Sequence, residues 1–146
     1  MSPTIRNARA GDKDHCLALL EKLADAAGGT IDRRAGNVFD ALDDGARGQV
    51  LIAEQASQIL GMAAVSFNLA MRYGGEYCQL EELVVDPDAR GRNIGGLLVE
   101  ASLALARARG CREYGLYLVA ATEQNLPFYQ KYGFEKVGSE LRQRLS

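Results

Sequence analysis

Three features of the sequence predict a mixed α/β fold: apolar runs of strand length, stretches with apolar residues at helical spacing, and a glycine-rich segment joining a strand to a helix. The predicted order is β, α, α, three strands in antiparallel sequence, α, β, α, β, in a single domain over residues 1–146. No internal repeat or low-complexity segment interrupts it. At 146 residues and 47% apolar composition, the chain is long enough to bury a core.

Thr4 to Ala8 reads as a first strand, and Asp12 opens a helix reaching about Ala27. Cys16, Leu19, Leu20 and Leu23 form its apolar stripe, and Gly28-Gly29 stops it. A weaker helix covers about Arg33 to Leu42. Val50–Glu54 and Ile59–Leu69 form a hairpin across the polar turn Gln55-Ala56-Ser57-Gln58. Arg72-Tyr73-Gly74-Gly75 turns the chain into a strand from Tyr77 to Val85. A helix from Gly95 to Arg109 follows, with Leu97, Leu98, Ala101, Leu105 and Ala108 as its buried face and Gly110 as its cap. Tyr114–Ala120 reads as strand and Asn125–Tyr132 as a short helix, with Asn125 as N-cap and Pro127 in the first turn. A final strand starts near Phe134 and extends toward Leu145.

A formal charge of -2 with interspersed signs leaves no basic stripe, which argues against nucleic acid as a partner. The N-terminal stretch MSPTIRNARAGDKD has no apolar core of a signal peptide, and no window approaches the roughly 20 apolar residues of a spanning helix. Cytoplasmic residence, away from membranes, is the default expectation. Cys16, Cys78 and Cys111 are odd in number and far apart, which speaks against a disulfide framework or a zinc knuckle. His15 is the sole histidine and falls in a first helical turn, so no Ser/His/Asp or Cys/His machinery is visible.

The stretch LEELVVDPDARGRNIGGLL carries the chemistry. Leu83, Val84 and Val85 end the strand, and Pro87 closes the ladder. Gly91, Gly95 and Gly96 let the backbone turn N–H groups toward a ligand, and Asn93 tolerates positive φ. The following helix adds its N-terminal dipole, while Arg90 and Arg92 supply guanidinium forks suited to phosphate oxygens. A pyrophosphate is the ligand this loop expects. Gly-Lys-Ser/Thr and a complete GxGxxG are both absent, which excludes two familiar phosphate loops.

Segment VVDPDARGRNIGGLL resembles the signature of the GNAT N-acetyltransferases, V-x-P-x-x-R-G-x-G-I-G-x-x-L, with Asn93 in place of the middle glycine. In that family the loop holds the pyrophosphate of acetyl-CoA. The resemblance implies a GNAT-type mixed sheet that splays between the strand before the loop and the strand after the helix, with the cosubstrate in the gap. It implies backbone contacts from Leu83, Val84 and Val85, and from Arg92, Asn93, Ile94, Gly95 and Gly96, with Arg90 and Gly91 beside the phosphates. Downstream, EQNLPFYQKYGF is similar to the family's closing motif. By that match Tyr129 sits near the thioester sulfur and Asn125 contacts the pantetheine arm. The spacing of Asn125, the pair Glu81-Glu82 and the tail VGSELRQRL resemble the glucosamine-6-phosphate N-acetyltransferases, whereas Ala120 or a neighbour stands where that branch carries an aspartate. Many members of the family are dimers, so a homodimer accords with the resemblance.

The expected reaction is acetyl transfer from acetyl-CoA to the primary amine of a small molecule, with no metal and no covalent enzyme intermediate. An amine is mostly ammonium at neutral pH, so a carboxylate must remove its proton; Glu81 is the candidate base. By strict alternation Glu81 shares a strand face with Leu83 and Val85, and Glu82 faces the other way. A backbone N–H from Leu83 to Val85 would stabilise the oxyanion, and Tyr129 would protonate the departing thiolate. An amino-sugar phosphate acceptor and a non-catalytic acyl-CoA-binding module are the alternatives.

Overall fold

The computed structural model describes residues 2–146. The chain forms a larger compact unit ending at Leu116 and a smaller one from Tyr117 to Ser146. In the larger unit, strands β1 (Thr4–Asn7), β2 (Gly48–Gln55), β3 (Gln58–Ala70), β4 (Gly75–Val85) and β5 (Tyr114–Leu116) make one sheet in the order β1-β2-β3-β4-β5. The first four are antiparallel neighbours and β5 runs parallel to β4. Only the parallel step needs a crossover. Helix α3 (Ile94–Arg109) supplies it, whereas α1 (Lys13–Ala26) and α2 (Ala35–Ala41) lie between β1 and β2 in sequence.

Side-chain alternation on β2 and β3 builds two cores. Val50, Ile52, Met62, Ala64 and Val84 point to one face and bury Cys16 and Leu19 of α1 with Phe39 of α2. The opposite face receives α3: a Cβ placed on Gly61 would lie 3.1 Å from Ile94 Cγ2 and 3.3 Å from Leu98 Cδ1. Gly61 is therefore the point of close approach, and both facing side chains are fully buried. Each such burial contributes about 1.5–3 kcal/mol.

The buried stripe of α3 runs through Ile94, Leu98, Val99, Ser102 and Ala106, with Leu97, Ala101 and Leu105 half-buried and Ala108 exposed. The expected stripe is thus rotated around the helix. Ser102 explains the difference, because its hydroxyl bonds Val99 O at 2.8 Å and receives Tyr114 Oη at 2.7 Å, so a polar residue occupies a core position without penalty.

The hairpin turn closes as expected, with Ala56 and Ser57 both left-handed at φ 51° and 65°. One tie fixes the start of β1 and α1: Arg6 donates to both carboxylate oxygens of Asp12, at 2.9 and 3.1 Å, and to Glu54 Oε2 at 2.9 Å.

The smaller unit departs most from expectation. Its helix α4 covers Leu126–Gln130 and follows a 3₁₀ turn at Ala120–Asn125, and the strand expected over Tyr114–Ala120 stops at Leu116. Residues 134–146 carry no strand, and Val137, Leu141 and Leu145 are exposed. The apolar residues there, Phe134, Val137, Leu141 and Leu145, recur at intervals of three and four and not two, and a strand also needs a ladder partner, which sequence pattern does not specify.

Candidate active site

The end of β4 organises the site. Its ladder with β5 runs from Cys78–Tyr114 to Leu80–Leu116 and stops, while β4 itself continues to Val85. Past Leu80, the strand keeps its partner β3 on one side and loses β5 on the other. Leu83, Val84 and Val85 all lie in this stretch. Such an edge presents main-chain donors and acceptors to a ligand.

Immediately beyond Val85 the chain is pinned before it turns. Asp86 N–H donates to Leu60 O at 2.8 Å, and Asp86 Oδ1 accepts from Asp88 N–H at 3.0 Å, capping a 3₁₀ turn at Pro87–Ala89. Arg90, Gly91, Arg92 and Asn93 then run along the surface, all exposed. Gly91 (φ 84°) and Asn93 (φ 59°) are left-handed, with Arg92 between them. Asn93 is the N-cap residue of α3. The first turn of α3 begins at Ile94, and Leu97 N–H is bonded to Asn93 O at 3.1 Å, so the N–H groups of Ile94, Gly95 and Gly96 precede that bond at the helix's positive end.

The glycines divide differently from the sequence expectation. Positive φ is needed at Gly91 and Asn93, whereas Gly95 and Gly96 lie in the helix itself. At those two the turn itself does not call for glycine. An open cleft of about 340 Å³, bordered by His15, Ser57, Ile59, Asp86 and Arg92, adjoins this loop. The donors fit a pyrophosphate: backbone N–H groups at a helix N-terminus, a left-handed pair, and two exposed guanidiniums.

At Glu81 strict alternation fails. Ala64 stands opposite Glu82 and Val65 opposite Leu80, so Glu81 is the extra residue of a β-bulge. Ser66 Oγ donates to Glu81 Oε2 at 2.6 Å. Ser66 lies two residues beyond Ala64 on β3, on the α1/α2 face, and so the carboxylate of Glu81 reaches that face as well. The expectation that Glu81 and Glu82 face opposite sides is corrected: the bulge turns both toward one side. Glu82 is half-buried, and burial together with the nearby charge of Glu81 pushes its carboxyl up from the usual range. Asn68 Nδ2 donates in turn to Ser66 Oγ at 3.0 Å. Neither Ser66 nor Asn68 was singled out from the sequence, although two polar residues at period two on an otherwise apolar strand were a readable signal.

In the smaller unit Tyr129 lies on α4 and is buried, with its ring edge-on to Phe128 at 5.0 Å and Phe134 at 6.0 Å between centroids. Burial raises the pKa of its phenol. Asn125 occupies the N-cap position of α4, where its side chain makes no capping bond and is exposed. Among the described residues there is no cluster of three or more His, Cys, Asp or Glu arranged to hold a metal ion, and no helix is long and apolar enough to cross a membrane.

Residues 46–136 match the model of the acetyltransferase (GNAT) domain. This covers more than half of the chain and runs across both compact units. The chain belongs to the GNAT acetyltransferase family. It is 28% identical over 95 residues to a glucosamine 6-phosphate N-acetyltransferase of Trypanosoma brucei brucei, a match covering 64% of this chain and 63% of that protein. The chain thus spans less than two thirds of that relative's length. A protein of Oryza sativa subsp. japonica named "Probable glucosamine 6-phosphate N-acetyltransferase 2" is 28% identical over 96% of this chain and 86% of its own. In fold, the chain is similar to a crystal structure of a Trypanosoma brucei acetyltransferase, with TM-score 0.79 and 24% identity over 99% of this chain and 100% of the other. The mixed, open five-stranded sheet flanked by helices is the GNAT fold.

Proposed function

We propose that this chain transfers an acetyl group from acetyl-CoA to the primary amine of a small molecule by direct attack, acting as one cytoplasmic domain. The observation that carries the reading is the β4 edge, free of β5 beyond Leu80 and running straight into the loop of Arg90–Gly96. That loop would take the pyrophosphate, through Arg90, Arg92 and the N–H groups from Arg92 to Gly96. A backbone N–H of Leu83 to Val85 is the donor for the carbonyl oxygen as it gains charge.

In the proposed reaction the amine nitrogen forms a bond to the acetyl carbon and the carbon–sulfur bond breaks. Glu81, directly or through water, takes the proton from the ammonium before attack. Tyr129 gives its proton to the thiolate and regains, through water, the one that the attacking nitrogen sheds on becoming an amide, and Asn125 holds the pantetheine arm; the assignments of Tyr129 and Asn125 rest on the closing motif. No covalent intermediate on the enzyme is invoked.

A second reading takes an amino-sugar phosphate as acceptor, supported by the names of two relatives. It needs cations for the phosphate, for which Arg72, Arg142 and Arg144 are the candidates, and the first two are already engaged. Arg72 stacks over Tyr73 and Tyr77, at 4.6 and 5.3 Å, and Arg142 pairs with Glu140 at 2.9 Å. These contacts favour an acceptor without phosphate. The experiment is thiol release from acetyl-CoA across a panel of amines that includes glucosamine 6-phosphate. Release with unphosphorylated amines supports the first reading, release with glucosamine 6-phosphate alone supports the second, and cofactor binding without release to any amine would leave an acyl-CoA-binding module.

A further inference from the structure

We propose that Ser66 and Asn68 are positioning residues that hold the Glu81 carboxylate for the acceptor amine. The inference rests on the acetyltransferase reading above and adds to it residues outside both GNAT motifs. Its basis is a directed chain of hydrogen bonds. Asn68 Nδ2 reaches Ser66 Oγ at 3.0 Å and Ser66 O at 3.4 Å. A backbone carbonyl only accepts, so the nitrogen of the amide must face Ser66. Ser66 Oγ then receives a proton from Asn68, and its own hydroxyl proton goes to Glu81 Oε2, 2.6 Å away.

The arrangement matters because Glu81 is the extra residue of the bulge and is exposed. A bulged, exposed glutamate has no ladder register to fix it and several rotamers to choose from. Ser66 selects one of them, on the α1/α2 face, and occupies one carboxylate oxygen with a donor. The side chain is exposed, which leaves its other oxygen, Oε1, for an ammonium. Burial of Glu82, by contrast, opposes ionisation there. Two neighbouring carboxylates are thereby given different tasks by their surroundings, Glu81 to accept the proton and Glu82 to shape the site.

The test combines an activity split with a spectroscopic readout that needs no substrate. Ser66→Ala should lower kcat/KM for the best amine by about 5- to 50-fold and leave the KM for acetyl-CoA unchanged, and Ser66→Thr, which keeps the hydroxyl, should restore most of it. Asn68→Leu should show a smaller loss of the same kind. In parallel, the NMR resonance of the Glu81 side-chain carboxyl carbon is recorded at neutral pH. Ser66→Ala should move it and Ser66→Thr should return it, which a merely structural serine would not do. Activity of Ser66→Ala equal to wild type, or an unmoved Glu81 resonance, overturns the positioning role alone. Failure of the wild type to acetylate any amine removes the acetyltransferase reading instead, and the resonance then still reports whether Ser66 holds Glu81.

Discussion

Gly91 and Asn93 hold the left-handed conformation two residues apart, at φ 84° and 59°, and the exposed Arg92 lies between them. This alternation turns the loop toward the N-terminus of α3. It also separates positions that a motif treats alike. A side chain on Gly91 would touch nothing within 4 Å, so its substitution acts through backbone strain rather than through a clash inside the protein. Gly91→Val should therefore weaken acetyl-CoA binding sharply, at a cost to stability of about 1–3 kcal/mol. Asn93→Gly, which restores the family's residue at a compatible φ, should leave affinity within about threefold of wild type. Isothermal titration of both variants with acetyl-CoA checks the pair; equal affinity in all three proteins would separate the loop from the cosubstrate.

Much of the loop was legible because glycine, asparagine and arginine have local meanings that do not depend on the rest of the fold. The left-handed turns at Gly91 and Asn93 and the helix start just after them follow from that. What stayed hidden depends on register. Alternation put Glu81 and Glu82 on opposite faces, but the pairing of Ala64 with Glu82 and Val65 with Leu80 inserts a bulge that no single strand announces. The fifth strand likewise ends at Leu116, because strand propensity through Ala120 does not create a ladder. The two cores were readable as apolar stripes, yet Ser102 at the centre of α3 needed Tyr114 to explain it.

Tyr129 can be tested without disturbing its packing. Tyr129→Phe keeps the ring edge-on to Phe128 and Phe134 and deletes only the hydroxyl. Folding should persist, with a melting temperature within a few degrees of wild type. If the phenol protonates the thiolate, kcat should fall by about 10- to 1000-fold with little change in acetyl-CoA affinity. Burial raises the phenol pKa, so the protonated form it must supply persists through the neutral range. Unchanged turnover, in an assay shown to be limited by chemistry, would reduce Tyr129 to a packing residue.

Stability toward acid should depend on Asp12. Its carboxyl is held below the usual range, first by the hydrogen bonds from Arg6 and also by the N–H of Arg9 at 2.7 Å, against the opposing effect of burial. Because the folded-state pKa is depressed, this contribution is complete above the ordinary carboxylate pKa of about 3.9 and is lost as pH falls through the lower native value. Asp12→Asn should destabilise by about 1–3 kcal/mol at pH 7. Urea midpoints at several pH values should show wild type and variant converging below pH 4 or so. A gap that stays constant down to the acid transition would mean that Asp12 contributes through shape rather than charge.

The two carboxylates of the bulge provide the last prediction. Both reach the α1/α2 side of β4, so a difference between them must come from environment rather than from sheet face. Glu81 is exposed and bonded to Ser66, whereas Glu82 is half-buried with its pKa raised by burial and by Glu81. Glu81→Gln should reduce kcat by about 10- to 100-fold near neutrality and recover it as pH rises and free amine becomes abundant. Glu82→Gln should cost turnover much less. It should also stabilise the fold slightly at neutral pH, because a raised native pKa means that the ionised form is disfavoured on folding, a penalty that disappears below the unfolded pKa. Parallel pH–rate profiles and thermal melts decide between the two. Equal small effects on rate would favour deprotonation of the amine by solvent, and a larger loss at Glu82 would transfer the base to the buried member of the pair.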